Sequence, residues 1–280
     1  MSRARRRGAM ALLLMLGCGG PTRRPQPPRF AIVCGRGPTV EGVDVSEYQG
    51  EVDWSAVRAS GRRFAIARIA HAPRVDARFE GHWRGIREAG MIRGAYLYFS
   101  PAHDVAAQAD AIARAVGRLG PGDLPVALDI EKPPPGLPSP ADYAARIAEL
   151  VSRVTQSTGR APMIYTGAYY WRLRVRSDAF KSLPLGHPQY APVRCPSIAP
   201  PWSEWTFWQY SNTGRVPGVR GDVDLDRFNG DLAALERLAG GPAPTPDAGA
   251  PDAISLDALP APPSAPAAPR PRPSPAPSTP

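Results

Sequence analysis

The chain has 280 residues, a formal net charge of +9, 36 prolines and 27 glycines. That much proline and glycine exceeds what one compact domain uses, which excludes a chain that is folded throughout. Apart from the four arginines at positions 3, 5, 6 and 7, the positive charge is spread along the sequence. It lacks the dense Lys/Arg block and the interleaved aromatic residues of nucleic-acid binders, so nucleic acid is not expected as a partner.

The first 18 residues have the layout of a secretory signal: an arginine-rich start, a short apolar run from Ala9 to Leu16, and a small residue before Cys18. The run is too short to span a membrane. The ending "MLGC" resembles a bacterial lipobox, which predicts that Cys18 carries a lipid anchoring the exported protein to the cell envelope. Ordinary secretion with cleavage elsewhere, and a cytosolic protein with an apolar N-terminal helix, are the alternatives. Residues 19–37, rich in proline and arginine, are expected to form a disordered linker.

Residues 38–240 alternate between strand and helix patterns, which indicates a repeated βα unit. Two helices are clear, over 104–117 and over 141–159, the second with Ser139 as its cap and Pro140 in its first turn. Strands are predicted in "VEGVDVS", "FAIARIA", "MIRGAYLYF", "LPVALDIE", "APMIYTG", "PQYAPV", "WTFWQYS" and "DVDLDRF". About eight strands, mostly parallel, predict an α/β fold, a TIM-like βα-barrel with an irregular second half.

Two acids close the strand in "DLPVALDIE", at a place where burying charge is costly. Asp129 and Glu131 are two positions apart, so both point to the same face of the strand, and the carboxyl ends of barrel strands carry the chemistry. Carboxylates held close together raise the proton affinity of one of them, which provides one acid and one base near neutral pH. Cleavage of a glycosidic bond needs such a pair. A structural ion pair, or half of a metal site, is the alternative.

Cysteines and histidines give weaker indications. If Cys18 carries a lipid, Cys34 and Cys195 remain as a pair, and in an oxidising compartment they are expected to form a disulfide, although two buried free thiols would give the same sequence. The histidines show no metal-binding spacing, so we expect neither a metal nor another cofactor. They are His71, His82, His103 and His187.

Residues 241–280 carry 14 prolines and no aromatic residue, so they are expected to form a disordered Pro/Ala-rich tail. The predicted organisation is therefore a lipoprotein-type signal over 1–18, a linker over 19–37, a catalytic domain over 38–240 and this tail.

Six motifs, in order and spacing, resemble glycoside hydrolase family 25, the Chalaropsis-type lysozymes. They are "GVDVSEYQGEVDWSAVRASG", "AYLYFSP", "GDLPVALDIE", "PMIYTG", "FWQYSNTGRVPGV" and "VDLDRFNG". The resemblance covers nearly all of residues 40–230. It implies a flattened βα-barrel that cleaves the β-1,4 bond between N-acetylmuramic acid and N-acetylglucosamine in peptidoglycan. The expected partner is the peptidoglycan glycan strand, and we expect a monomer.

The resemblance also implies a role for each acid. Glu131 would be the general acid/base, and Asp129 would orient or stabilise the 2-acetamido group of the substrate. Asp44 and Asp224 would complete the acidic cleft. Whether an enzyme carboxylate or the substrate amide attacks the sugar is left open.

Three aromatic residues match recurring family positions and are predicted to contact sugar, because pyranose faces stack on aromatic rings. They are Tyr96, Tyr165 and Trp208. For any one of them, packing in the core is the commoner fate.

The chain departs from the family pattern at three places: His71 stands where Glu is common, Leu97 where His is common, and Asp226 where Asn is usual. The first departure bears on substrate fit or rate. A peptidoglycan-binding lipoprotein with little or no turnover is therefore the alternative function, and a related barrel glycosidase acting on chitin-like polymers is a third.

Overall fold

A computed structural model describes residues 30–131 and 139–242. The predicted signal with Cys18, most of the predicted linker and nearly all of the predicted tail lie outside the described residues. Within the described ranges, no helix combines the length and the apolar character needed to cross a membrane.

Strands and helices alternate along most of the described chain. The strands are β1 (Ala31–Ile32), β2 (Thr39–Val45), β3 (Phe64–His71), β4 (Arg74–Val75), β5 (Ile92–Tyr98), β6 (Ala127–Asp129), β7 (Met163–Tyr165), β8 (Leu185–Pro188), β9 (Ser197–Ile198), β10 (Phe207–Gly214) and β11 (Val223–Asn229). The α-helices are α1 (Trp54–Ala59), α2 (Phe79–Glu88), α3 (Val105–Val116), α4 (Pro140–Thr158), α5 (Ala168–Tyr170) and α6 (Leu232–Leu238). A 3₁₀ turn covers Glu47–Gln49, and a π-helical turn covers Trp171–Val175.

Eight of these strands close into a barrel in the order β2, β3, β5, β6, β7, β8, β10, β11, with β11 pairing back to β2. Every neighbouring pair is parallel except the two that involve β11, which runs antiparallel to β10 and to β2. The prediction of a mixed α/β barrel of about eight mostly parallel strands is confirmed. Because β11 is reversed, its first residues lie at the same end of the barrel as the last residues of β2.

Alternate residues of the barrel strands face the interior. These inward-facing residues are mainly apolar at one end of the barrel and mainly polar at the other. The interior is filled by an apolar cluster that includes Phe64, Ile66, Met163, Phe207 and Phe228. A second, larger apolar cluster lies between the barrel and its helices. Because the apolar interior residues occupy one end of the barrel, its carboxyl end is left for polar side chains.

The two helices that the sequence predicts most clearly have the expected ends. Helix α4 begins after Ser139, whose side chain accepts a hydrogen bond from the backbone of Asp142 and forms a capping box with it. It ends at Gly159, which adopts a left-handed conformation with φ of 80°. Helix α3 begins after Asp104, which caps it, and ends at Gly117.

One predicted strand is displaced. The sequence pattern indicates a strand in "PQYAPV", residues 188–193, but β8 is Leu185–Pro188 and most of that run is irregular. The reason is that Pro188 and Pro192 lack the backbone N–H that a strand within a sheet donates. Segment 189–193 instead forms part of the rim at the carboxyl end of the barrel.

A disulfide joins Cys34 to Cys195, whose Cα atoms are 4.7 Å apart. Nearby, β1 pairs with β9 in a separate two-stranded sheet. The bridge therefore attaches the segment before β2 to the segment before β10.

Candidate active site

A cavity of about 190 Å³ opens at the carboxyl end of the barrel. Its lining includes all four acids that the sequence analysis selects, Asp44, Asp129, Glu131 and Asp224. They come from three different parts of the chain, and the closure of the barrel brings them together.

Asp129 and Glu131 reach the cavity because their strand is held on both sides. The backbone carbonyl of Asp129 accepts a hydrogen bond from the Phe99 N–H at 3.0 Å, and the Ile130 N–H donates to the Tyr165 carbonyl at 2.8 Å. Ile130 is fully buried in the layer outside the barrel, so its two neighbours face inward. Asp129 is 5% exposed, whereas Glu131 is only partly buried.

Asp44 and Asp224 are direct partners in the register between β2 and β11. Asp226, two residues further along β11, faces the same interior and also lines the cavity. Burial raises the pKa of Asp224 to about 8, and the nearby charge of Asp44 adds to this effect. Burial and the charge of Asp224 raise the pKa of Asp226 to about 8 as well. Burial also raises the pKa of Asp44, with a contribution from Asp226.

The pKa of Asp129, at the other side of the cavity, is raised as well. Burial and the neighbouring charge of Glu131 hold the pKa of Asp129 well above its ordinary range. One carboxyl oxygen, Oδ1, is buried and has no hydrogen-bond partner among the described residues. Asp129 thus holds a proton more readily than an exposed Asp does, and Glu131 lies beside it in the cavity.

The cavity acids are not neutralised by arginine. Within the described residues, no Lys or Arg forms a salt bridge with any of Asp44, Asp129, Glu131 or Asp224. Buried Arg68 on β3 is the nearby cation, and its guanidinium contacts Asp76 at 2.9 Å and Glu47 at 3.2 Å instead. Its positive charge acts on Asp129 only as a minor influence that lowers the pKa.

Tyrosines form the polar wall of the cavity together with a glutamine that the sequence analysis missed. The predicted sugar contacts Tyr96 and Tyr165 line the cavity, as do Tyr98 and Tyr190. Gln209 lies on β10 and is 6% exposed. The sequence did offer one indication: Gln209 is a polar residue within the aromatic run "FWQY", which is typical of a strand residue that points into a polar cavity.

His187 is a further lining residue that the sequence analysis did not assign to the cavity. Its Nδ1 lies 3.2 Å from the carbonyl oxygen of Thr166, and burial lowers its pKa. A lowered pKa favours the neutral imidazole, so His187 adds no positive charge beside the acids.

The structure does not bring Trp208 to the cavity. Trp208 alternates with Gln209 on β10 and therefore faces the layer outside the barrel, where it is 4% exposed. Its indole N–H donates to the Gln189 carbonyl at 3.0 Å, and its ring packs against Trp205. The predicted sugar contact of Trp208 therefore has no support in this geometry, and packing explains the residue.

No group of three or more His, Cys, Asp or Glu side chains in the described part of the chain is arranged to hold a metal ion. The chemistry that the cavity offers is that of its carboxyl groups, with tyrosine hydroxyls around them.

A βα-barrel whose carboxyl-end cavity holds a cluster of acids, the buried Asp residues among them with raised pKa values, and a wall of tyrosines defines a class of enzyme, the barrel-type glycoside hydrolases. The sequence places the chain within that class: residues 43–219 match the family described as glycosyl hydrolases family 25, and the chain belongs to this family.

Similar proteins agree with this assignment. The chain is 36% identical over 211 residues to Lysozyme M1 of Streptomyces globisporus, covering 71% of each chain. It is 32% identical over 220 residues to the N,O-diacetylmuramidase of a Chalaropsis species, covering 72% of this chain and all of that one. The crystal structure of a bacterial lysozyme from Streptomyces coelicolor superposes with a TM-score of 0.68 at 36% identity, covering 71% of this chain and 96% of the other.

Proposed function

We propose that the protein is a peptidoglycan hydrolase, a muramidase that cleaves the β-1,4 bond between N-acetylmuramic acid and N-acetylglucosamine. The observation that carries the proposal is the placement of Asp129 and Glu131 side by side in the cavity without a neutralising cation among the described residues. The names of its family 25 relatives, a lysozyme and an N,O-diacetylmuramidase, support the substrate.

Glu131 is the proposed general acid/base. It lines the cavity and is only partly buried, so it can reach the oxygen of a bond that crosses the mouth. Protonation of the leaving oxygen by a positioned carboxyl group contributes about 10²- to 10⁴-fold to the rate of such a reaction.

Asp129 is the proposed partner of the 2-acetamido group. Its Oδ1 is buried without a hydrogen-bond partner among the described residues, which is costly unless a ligand satisfies it. An acetamido N–H of the substrate would supply the missing donor and hold the sugar beside Glu131. Asp44 and Asp224 then keep the opposite wall of the cavity acidic.

Peptidoglycan lies outside the cytoplasmic membrane, so this function requires an exported protein. The proposed domain organisation fits that requirement: a signal over 1–18 that ends at a lipidated Cys18, a linker over 19–37, the catalytic domain over 38–240 and a Pro/Ala-rich tail over 241–280. The last residues of the linker range are attached to the domain, since β1 pairs with β9 and Cys34 is bonded to Cys195. Radiolabelled palmitate incorporated by the wild-type protein but not by Cys18→Ala would support the anchor. No incorporation by either would reject it.

The function is tested on purified sacculi with Glu131→Gln. The wild type is expected to release new reducing ends that borohydride converts to muramitol, because a muramidase frees carbon 1 of N-acetylmuramic acid. The variant should be about 10²- to 10⁴-fold slower. The matched control is Glu149→Gln, a half-exposed residue on α4.

Equal rates for the wild type and Glu131→Gln would reject the assignment of Glu131. Sacculi that bind the wild type without any release of reducing ends would reject the hydrolase and favour a wall-binding protein. Glucosaminitol in place of muramitol would mean that the bond cleaved is the other one in the glycan strand.

A further inference from the structure

One amide side chain connects the acidic and the tyrosine walls of the cavity. Gln209 Nε2 donates a hydrogen bond to Asp44 Oδ2 at 2.6 Å. Its Oε1 accepts one hydrogen bond from the Tyr165 hydroxyl at 2.8 Å and another from the Tyr190 hydroxyl at 2.5 Å. All four side chains line the cavity. A single buried residue therefore contacts three polar groups that a substrate would meet.

We propose that Gln209 is a positioning residue that decides which of its neighbours donate and which accept hydrogen bonds. Because of its contacts, Tyr165 and Tyr190 accept hydrogen bonds from the substrate, and Asp44 keeps one oxygen as an acceptor. The inference deepens the proposed muramidase function and rests on it. Gln209 contacts Asp44 and two tyrosines rather than the reacting atoms.

The polarity of the tyrosines follows from counting hydrogens. A phenol has one O–H hydrogen, and an amide oxygen has two lone pairs. In Tyr165 and Tyr190 that hydrogen points to Oε1 of Gln209, so only lone pairs of the hydroxyl oxygens remain for a ligand. Burial raises the pKa of both tyrosines, so they keep this hydrogen at neutral pH. The matching ligand groups are N–H and O–H donors, such as the acetamido N–H and hydroxyl groups of aminosugars.

The hydrogen bond from Gln209 decides which oxygen of Asp44 can carry a hydrogen. Oδ2 accepts from the amide N–H, so any acidic hydrogen on Asp44 is carried by Oδ1. Asp224, its partner in the strand register, and Asp226, two residues along β11, are the neighbouring carboxyl groups. Gln209 thus prevents Asp44 from turning a hydrogen toward the tyrosine wall, and it does so without titrating itself.

Two hydrogen bonds to the backbone of Gln189 hold Tyr190 near Gln209. The carbonyl of Gln209 accepts a hydrogen bond from the Gln189 N–H at 3.0 Å, and the neighbouring Trp208 indole donates to the Gln189 carbonyl at 3.0 Å. Residue 189 is therefore fixed on both sides, immediately before Tyr190. This explains how Tyr190, whose side chain is 46% exposed, reaches Gln209 from an irregular segment.

The test measures kcat and KM on soluble, uncross-linked peptidoglycan strands. Gln209→Glu keeps two oxygens for the tyrosines, but the hydrogen that it offers Asp44 is acidic and is lost as the pH rises, because buried carboxyl groups of this cavity titrate near pH 8. Above pH 8 the kcat of this variant should therefore be about 10- to 100-fold below that of the wild type at the same pH, the range for a lost hydrogen bond to a charged group, with KM near the wild-type value. Tyr190→Phe should mainly raise KM. Gln156→Glu, on the exposed face of α4, is the matched control and should leave both parameters unchanged.

A double-mutant cycle separates positioning from general loss of structure. In Gln209→Met the tyrosine hydroxyls are no longer oriented, so adding Tyr190→Phe should reduce kcat/KM several-fold less than Tyr190→Phe does in the wild type. Near-ultraviolet circular dichroism checks the fold of each variant. Should Gln209→Met fail to fold, the kcat of Gln209→Glu and the KM of Tyr190→Phe still decide the question.

A wild-type kcat in Gln209→Glu above pH 8, or additive effects in the cycle, overturns the inference while the proposed function stands. A wild-type protein that releases no reducing ends from peptidoglycan overturns both. A lower kcat in Gln209→Glu together with a non-additive cycle supports the role of Gln209.

Discussion

Single carboxyl groups in the cavity work against the stability of the fold. Asp226 is 4% exposed, and its Oδ2 has no hydrogen-bond partner among the described residues. Its register partners on the adjacent strands, Gly42 and Gln209, offer no positive charge, and Asp224 on the same strand adds a negative one. The fold therefore holds Asp226 in its protonated form, with a pKa of about 8 against an ordinary value of 3.8.

This shift has a defined effect on stability. Between the two pKa values the unfolded chain has lost the proton that the folded chain keeps, so the free energy of unfolding falls as the pH rises toward 8. Asp226→Asn removes this penalty and should raise the free energy of unfolding by at least about 1 kcal/mol at pH 8, because one unit of pKa shift corresponds to about 1.4 kcal/mol. The gain should nearly vanish at pH 4. Urea denaturation at pH 4, 6 and 8 measures it.

The control for this prediction is Asp222→Asn, since Asp222 is a half-exposed carboxyl beside the same strand. It should show no comparable gain at pH 8. A stability difference between Asp226→Asn and the wild type that is independent of pH would contradict the prediction.

Among the elements, strand β2 depends on a residue without a side chain. Gly42 faces the interior two positions before Asp44, and a Cβ atom at Gly42 would lie 2.4 Å from the ring of Phe64. Phe64 is fully buried in the apolar cluster inside the barrel. The glycine allows this ring to fill the barrel while β2 keeps the register that places Asp44 opposite Asp224.

Gly42→Ala should therefore lower the free energy of unfolding by about 1–3 kcal/mol, the usual effect of overpacking a core. Thermal denaturation measures the change. Gly81→Ala is the matched control, because Gly81 is exposed on α2 with open space around a Cβ, and it should be neutral or stabilising. Equal melting temperatures for Gly42→Ala and the wild type would show that Phe64 can move aside at little cost.

At the scale of the whole molecule, the disulfide constrains the chain separately from the strand pairs that close the barrel. The bridge between Cys34 and Cys195 spans a sequence separation of 161 residues and lies outside the eight barrel strands. Cross-linking such distant positions limits the unfolded chain more than it changes the folded one.

Replacing both Cys34 and Cys195 by alanine should lower the free energy of unfolding by about 2–5 kcal/mol. Turnover at saturating substrate should be retained, because the acids lie on or next to barrel strands. Urea denaturation with and without reductant provides the control: reductant should destabilise the wild type and leave the double variant unchanged. A wild type that is unaffected by reduction would show that the bridge contributes little.

The sequence by itself determined the class of fold, the acid pair and the ends of the main helices. These depend on residues close together in the chain: the spacing of two between Asp129 and Glu131, the cap at Ser139 and the stop at Gly159. The same local patterns placed β8 a few residues too late, since prolines at 188 and 192 interrupt an otherwise apolar run.

Only the tertiary structure decided which residues share the cavity. Gln209 and Asp44 are 165 positions apart in sequence, and their contact exists because the reversed strand β11 lies between β10 and β2. Strand closure also decided that Gln209 faces inward and Trp208 outward. Alternation alone shows only that the two side chains face opposite ways, and a shift of one residue in the pairing would exchange them. Local sequence sets which residues alternate, whereas long-range strand pairing sets which of the two faces encloses the cavity.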